Sequence, residues 1–225
     1  MQTVLSNEFF DCDCEQVAKS LLGKVLRVMH HDLLLSAKII ETEAYYQSEK
    51  ASHASLGFTP IRQALFMLPG TIYMYYSRGG DSLNVSCQGD GNAVLIKSAI
   101  PYLDALSRPD TIEYMQQLNP PKNRQGVRCK EYLCSGQTLL CKSLGLKVVK
   151  WDQQQFNSHF YIADVGYQPE KFLITPRLGI PKGRDEHLML RFIDANYHQY
   201  STKKVTSKQT QQIEINEYSH SITSK

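Results

Sequence analysis

The chain has 225 residues, a formal net charge of +3 at pH 7 and an apolar fraction of 42%. This length supports one domain with a substantial core, and the composition is that of a globular protein rather than a disordered or fibrous one. A charge this small permits a polyanionic partner without indicating one, because a short nucleic-acid footprint requires only a local basic patch.

The six cysteines do not follow the spacing of a zinc site, and none forms a CxxC pair. A metal site built from Cys129, Cys134 and Cys141 is the less favoured alternative. The polar N-terminal residues do not resemble a signal peptide, and no apolar run approaches the roughly 20 residues of a membrane span. The sequence therefore favours a reduced cytosolic protein with free thiols and no membrane contact.

A helix and two strands are predicted first along the chain. Asp11 or Asp13 suits the N-cap of a helix that ends at Gly23. The two strands and the long loop after them are predicted at 24–29, 33–43 and 46–69. Loops of that length within a compact domain are usually functional or mobile.

A tight hairpin and a further strand are predicted next. Residues 71–77 form a strand, the paired glycines within 78–81 supply the positive φ angles of a tight turn, and 82–87 form the returning strand. A second turn at 88–92 leads into a strand at 93–99.

The C-terminal half is predicted to combine helices with three short strands. Pro101 and Pro109 fit the first turns of helices within 101–118, and Ser135 fits the N-cap of a helix that ends at Gly145. The strands are expected near 160–163, 171–174 and 190–194.

The predicted elements give one α+β domain over 1–200. It has a largely antiparallel curved sheet, peripheral helices and a protruding β-hairpin. From about Ser201 the chain becomes polar, so 201–225 is expected to be a flexible tail, with a short strand near 213–215 as the exception.

Two strands carry residue types suited to holding a flat ring. Alternate side chains share a strand face, so Glu43 and Tyr45 point the same way, as do Tyr73 and Tyr75. We expect the carboxylate and the rings to meet across a cleft. The alternative is that Glu41 and Glu43 face solvent and the tyrosines belong to the core. We disfavour this alternative because packing does not readily explain two acids on a strand that begins with two isoleucines.

Five motifs in order resemble a known family. They are IETEAY at 40–45, FMLPGTIYMY at 66–75, NVS at 84–86, QGDG at 88–91 and LCSG at 133–136, with His53 after the first. Over about 7–194 the chain resembles the methylpurine (alkyladenine, 3-methyladenine) DNA glycosylases. The resemblance implies a repair enzyme without metal or organic cofactor that flips out alkylated or deaminated purines and hydrolyses their N-glycosidic bond. The motifs contain no lysine where a sugar Schiff base would form, so a monofunctional glycosylase is expected.

The resemblance also implies roles for individual residues. Glu43 matches the general base that activates the attacking water. Tyr45, His53 and Tyr75 match the side chains that sandwich the flipped base. Asn84 matches the residue that excludes the exocyclic amino group of guanine.

The DNA-binding residues depart from the family pattern at two positions. Arg78, at the hairpin tip, matches the wedge that enters the duplex, where the family commonly has tyrosine. Lys97 stands where the family usually has arginine. Lysine keeps the positive charge but cannot form the bidentate hydrogen bonds of a guanidinium. Phosphate contacts, with solvated surface charge as the alternative, are expected from Arg78, Lys97, Arg177 and Lys182, with Lys122, Arg124 and Arg184 as further candidates.

The expected partner is damaged double-stranded DNA, bound by a monomer, in the cytoplasm or nucleoid of a prokaryote or the nucleus of a eukaryote. Two other classes stay open. One is a lesion-binding module with little or no turnover. The other is a carbohydrate hydrolase with Glu41 and Glu43 as its carboxylate pair, which is disfavoured because i, i+2 carboxylates lie side by side instead of flanking a substrate.

Overall fold

An antiparallel sheet organises the part of the chain that the computed structural model describes, which is residues 2–77, 79–122, 126–203 and, for the backbone, 211–214. Its ten strands are β1 Thr3–Val4, β2 Val25–His30, β3 Leu33–Tyr45, β4 Ile72–Ser77, β5 Gly80–Ser86, β6 Ala93–Pro101, β7 Phe160–Asp164, β8 Lys171–Thr175, β9 Arg191–Asp194 and β10 Gln211–Glu214. The α-helices are α1 Cys14–Ser20, α2 Thr111–Leu118, α3 Gln137–Ser143 and α4 Val148–Trp151.

The long strand β3 is the centre of the sheet. The main path runs β1-β7-β2-β3-β6-β5-β4, and β9, β8 and β10 branch from β3. With thirteen residues, β3 pairs with β6 along one edge while its other edge pairs first with β2 and then with β9. The C-terminal end of β3, which carries Glu43 and Tyr45, is therefore enclosed between strands. This arrangement confirms the predicted α+β class and largely antiparallel sheet.

Two compensating irregularities interrupt the pairing of β3 with β6. Ile39 lies opposite Ala99, Glu41 opposite Ser98, and Thr42 opposite Ile96, so Ile40 and then Lys97 are left without a partner in the register. An extra residue in one strand bends that strand locally and re-aims its side chain. The bulge at Lys97 adjoins the end of β3, where the candidate site lies.

Helix α1 begins where the sequence allowed either of two aspartates. The carboxylate of Asp13 accepts the backbone N–H groups of Glu15 and Gln16 at 3.0 and 3.3 Å, and it also accepts the Tyr46 hydroxyl at 2.9 Å. Asp13 is therefore the N-cap. The chain leaves the helix through Gly23, whose φ of +86° suits a residue without a Cβ atom.

We expect Asp13→Ala to lower the free energy of unfolding by about 1–2 kcal/mol, because the helix loses its cap and Tyr46 loses its acceptor. Urea denaturation measures the change. Asp11→Ala is the matched control, with an expected effect within about 0.5 kcal/mol, since Asp11 is exposed and outside the cap. Equal effects of the two substitutions would contradict the assignment.

Three predictions about the helices and loops are wrong. Pro101 ends strand β6 instead of starting a helix, and α2 begins only at Thr111. Gly136, with φ +104°, occupies the N-cap of α3, while the Ser135 hydroxyl donates to the Ser201 carbonyl at 3.2 Å. The segment at 46–69 contains 3-10 helices at His53–Leu56 and Pro60–Phe66, whose short turns leave no helical periodicity in the sequence.

The predicted hairpin is present, with a tighter turn. Ser77 pairs with Gly80, so β5 starts at the second glycine and only two positions separate the two strands. A Cβ atom on Gly80 would lie 2.1 Å from Cγ2 of Thr138, which explains glycine there. Arg78 lies outside the described residues.

The polar C-terminal segment is only partly described. Strand β10 pairs with β8, with Ile213 opposite Phe172, which agrees with the exception predicted near 213–215. Residues 204–210 and 215–225, to which the prediction of flexibility mainly applies, are outside the described part. Within the described residues, no helix has the length and apolar character to cross a membrane, and no cluster of metal-ligating side chains is present.

Candidate active site

A cavity of about 430 Å³ opens between the end of β3, the β4–β5 hairpin and the loop after β8. Its wall includes Tyr45, His53, Tyr73, Tyr75, Asn84 and Lys97. Small-molecule sites commonly measure about 300–1,000 Å³, so this cavity suits one compact ring system. The structure thus brings together the aromatic, amide and cationic side chains around one space.

Glu43 is fully buried and is contacted by three residues that line this cavity. Its Oε2 accepts the Tyr45 hydroxyl at 2.7 Å, and its Oε1 accepts the backbone N–H of Leu178 at 3.2 Å. The ammonium of Lys97 lies 3.4 Å from the carboxylate. Glu43 does not itself line the cavity, whereas these three partners do. The carboxylate is therefore held one layer behind the wall, with both oxygens fixed in direction.

The burial of the Tyr45 ring and the neighbouring carboxylate raise the pKa of its hydroxyl well above the ordinary value. Tyr45 therefore stays protonated and donates to Glu43. Because Glu43 and Tyr45 are two positions apart on β3, their contact confirms that they share one face, as the alternation predicts.

Another part of the wall is formed by aromatic side chains. The His53 and Tyr75 rings lie 4.6 Å apart at 60°, and Nδ1 of His53 lies 3.0 Å from the Tyr73 hydroxyl. Burial, followed by the positive charges of Arg62 and Arg184, lowers the pKa of His53. A neutral imidazole is thus favoured at pH 7, and the wall offers π faces without adding a cation.

Asn84 enters the wall from β5, opposite Tyr73. Its side-chain nitrogen donates to the Tyr73 carbonyl at 3.1 Å, and only 6% of the residue is exposed. The amide is therefore fixed in orientation, which suits a group that accepts or rejects the edge of a ring.

The predicted DNA-binding residues divide into three groups. Lys97 and Arg177 are buried and paired with the carboxylates of Glu43 and Glu49, so their charges are not presented to a phosphate backbone. This placement does not agree with the phosphate contacts predicted for Lys97 and Arg177. Lys182 is exposed on the loop after β8, and Arg78 is outside the described residues.

Glu41 belongs to a separate, closed network. Its Oε1 accepts Arg191 at 2.6 Å, and its Oε2 accepts the Ser98 hydroxyl at 2.5 Å and the backbone N–H of Thr202 at 2.8 Å. The residue is fully buried. Neither oxygen is available to a substrate, so the structure does not support a Glu41–Glu43 pair of the glycosidase type.

The site also includes contributions that the sequence analysis missed. The Leu178 N–H is a backbone group 135 positions from Glu43, and no local pattern marks it. The resemblance places Lys97 where the family usually has arginine, and the sequence analysis assigns its charge to the phosphate backbone. Its ion pair with Glu43 depends on the pairing of β3 with β6, which no local pattern shows. The two irregularities in the strand pairing carry no recognisable sequence pattern.

Comparison with known proteins places this chain in a family. The family model described as methylpurine-DNA glycosylase (MPG) matches residues 8–198. A protein of Pseudomonas syringae pv. tomato named as a 3-methyladenine DNA glycosylase is 54% identical over 204 residues, which cover 90% of this chain and 91% of the relative. A Pseudomonas fluorescens protein of the same name is 56% identical over 88% of this chain and 86% of its own length. The human DNA-3-methyladenine glycosylase is 36% identical over 64% of this chain and 48% of the relative. These matches confirm the resemblance of the five motifs: the chain belongs to the methylpurine-DNA glycosylase family.

Proposed function

We propose that the protein is a monofunctional DNA glycosylase that removes alkylated or deaminated purines from double-stranded DNA by hydrolysis. The observation that carries this proposal is the oriented carboxylate of Glu43, buried beside an aromatic cavity the size of one base. Family membership supports the same activity.

The cavity wall suits an extruded purine. Extrusion costs a few kcal/mol, and stacking of one base on an aromatic side chain returns about 1–3 kcal/mol. Tyr45, His53 and Tyr75 all line the cavity and would supply the faces between which a base would lie. Many alkylated purines are cationic, and a positive ring is attracted to electron-rich aromatic faces.

Glu43 is the group that would remove the proton from the attacking water. The hydroxyl of Tyr45 and the N–H of Leu178 hold its oxygens, so the carboxylate does not have to reorganise when a water approaches between Tyr45 and Lys97. Its negative charge also stabilises oxocarbenium character at the sugar C1′. The leaving purine takes the electrons of the glycosidic bond, and water supplies the oxygen.

Lys97 would assist Glu43 without forming a covalent intermediate. Its ammonium, 3.4 Å from the carboxylate, balances the charge of Glu43 and must lose a proton before it could attack a sugar aldehyde. This pairing supports a monofunctional enzyme, although the structure places a lysine in the cavity wall, contrary to the reasoning from the motifs.

We expect Lys97→Met to lower the single-turnover rate of base release by about 10–1,000-fold, because the carboxylate loses its counter-charge. Lys97→Arg retains the charge and should recover most of the rate. Borohydride added during turnover of the unmodified protein should trap no protein–DNA adduct. A trapped adduct that disappears in Lys97→Arg would show that Lys97 is a nucleophile instead.

DNA contacts are proposed for the exposed loop that follows β8. Lys182 and Arg184 are exposed there, and Arg184 also lines the cavity, where it donates to the Lys50 carbonyl. Phosphate contacts from these side chains would hold the strand at the cavity mouth. Arg78, which lies outside the described residues, remains the proposed wedge that would fill the gap in the stack.

A panel of duplex oligonucleotides, each with one lesion, tests the proposed function. Free hypoxanthine, ethenoadenine or 3-methyladenine should be released, and an undamaged duplex should release nothing. Tight binding to lesion duplexes with no free base after long incubation would replace the glycosylase with a lesion-binding module.

A further inference from the structure

Arg177 is a buried cation that the proposed chemistry does not use. None of its side chain is exposed, Nη1 donates to the Ala44 carbonyl at 2.7 Å, and Nη2 pairs with the carboxylate of Glu49. Its Cζ lies 4.3 Å from the centroid of the Tyr45 ring. The guanidinium is thus fixed against an aromatic side chain of the cavity.

The guanidinium covers one face of the Tyr45 ring. Tyr45 lines the cavity, whereas Arg177 does not reach it and is fully covered. A base stacked on Tyr45 would therefore lie on the opposite face of the same ring. The cation and the base would be separated by the thickness of one tyrosine.

The same short segment also fixes the catalytic carboxylate. Leu178, next to Arg177, donates its N–H to Oε1 of Glu43, while Tyr45 donates its hydroxyl to Oε2. One two-residue segment therefore orients both the ring and the acid. A displacement of Arg177 would move both groups together.

We propose that Arg177 is a positioning residue for the Tyr45–Glu43 pair, and that its fixed charge biases the cavity toward neutral purines relative to cationic ones. This inference rests on the proposed function. A base stacks at about 3.5 Å from a ring. Its charge would therefore lie on the order of 8 Å from the guanidinium, where unit charges still repel at a protein-like dielectric constant. Glu49 offsets part of that field, so we expect a bias on the order of three- to tenfold.

A charge series at positions 49 and 177 tests the proposal. The readout is the ratio of single-turnover release rates for 3-methyladenine, which is cationic in DNA, and hypoxanthine, which is neutral. The ratio should rise in the order Glu49→Gln, unmodified protein, the double variant Arg177→Met with Glu49→Gln, and Arg177→Met alone. The double variant leaves no unpaired buried carboxylate, so it keeps the test available if Arg177→Met does not fold.

Arg177→Lys separates position from charge. It keeps the cation but loses the planar fork that bonds Ala44 and Glu49 together. Both release rates should fall while their ratio stays within about twofold of the unmodified protein. A ratio that is constant across the whole series, with all rates falling together, would show that Arg177 is only structural. If the unmodified protein releases neither base, the proposed function is wrong and this inference is overturned with it.

Discussion

Glu43→Gln is expected to reduce the release of damaged purines by about 10²–10⁴-fold, the usual contribution of a general base. The substitution keeps the shape of the side chain, and its amide oxygen can still accept one of the hydrogen bonds from Tyr45 or Leu178. In the proposed mechanism, the substitution removes the capacity to take a proton from water and the negative charge that would lie beside C1′. Binding of lesion-containing duplex should therefore survive while hydrolysis does not.

Two measurements on the same preparation check this expectation. Single-turnover release of hypoxanthine reports the chemical step, and fluorescence anisotropy with the same duplex reports affinity. Tyr45→Phe is the matched control, because it removes the hydrogen bond to Glu43 but keeps the ring that would stack on the base. Its rate should fall by less than that of Glu43→Gln. Release by Glu43→Gln at the unmodified rate would mean that another group activates the water.

The features predictable from the sequence are those set by neighbouring residues. Asp13 could be selected, together with Asp11, because an N-cap acts within three positions. Strand alternation placed Glu43 and Tyr45 on one face because β3 is regular from Thr42 onward. The paired glycines marked the hairpin because a tight turn requires positive φ, which Gly79 adopts at +83°.

Long-range contacts could not be read from such patterns. The positions that decide the roles of Glu41 and Glu43 lie far along the chain, at Arg191, Thr202 and Leu178. Arg177 has the same sequence character as a surface arginine, and only the packing of the loop after β8 against β3 buries it. Sequence and family resemblance together selected Glu43 and the aromatic residues that the structure brings together around one cavity, but they assigned the buried cations Lys97 and Arg177 to DNA phosphate.

We expect substitutions of the two carboxylates of β3 to affect different properties, stability for Glu41 and base release for Glu43. Glu41→Gln is expected to lower the free energy of unfolding by about 3–5 kcal/mol, because a buried ion pair loses one charge and leaves Arg191 uncompensated. Ser98 and Thr202 would lose part of the same acceptor. The fluorescence of Trp151, the single tryptophan, follows the transition because this side chain is buried in the core.

Glu15→Ala, which breaks an i, i+4 pair with Lys19 in which the Glu15 side chain is 36% exposed, is the control for a carboxylate of little energetic weight, with an expected loss of about 0.3–0.5 kcal/mol. Under conditions in which the Glu41→Gln variant is still folded, its rate of base release per folded molecule should remain close to that of the unmodified protein. Glu43→Gln should lose release and shift the unfolding transition less than Glu41→Gln, because the Lys97–Glu43 pair is longer, at 3.4 Å, than the Arg191–Glu41 pair, at 2.6 Å. A Glu41 variant that is stable but inactive would show that Glu41 takes part in the reaction. Its closed hydrogen-bond network would then have to open during turnover.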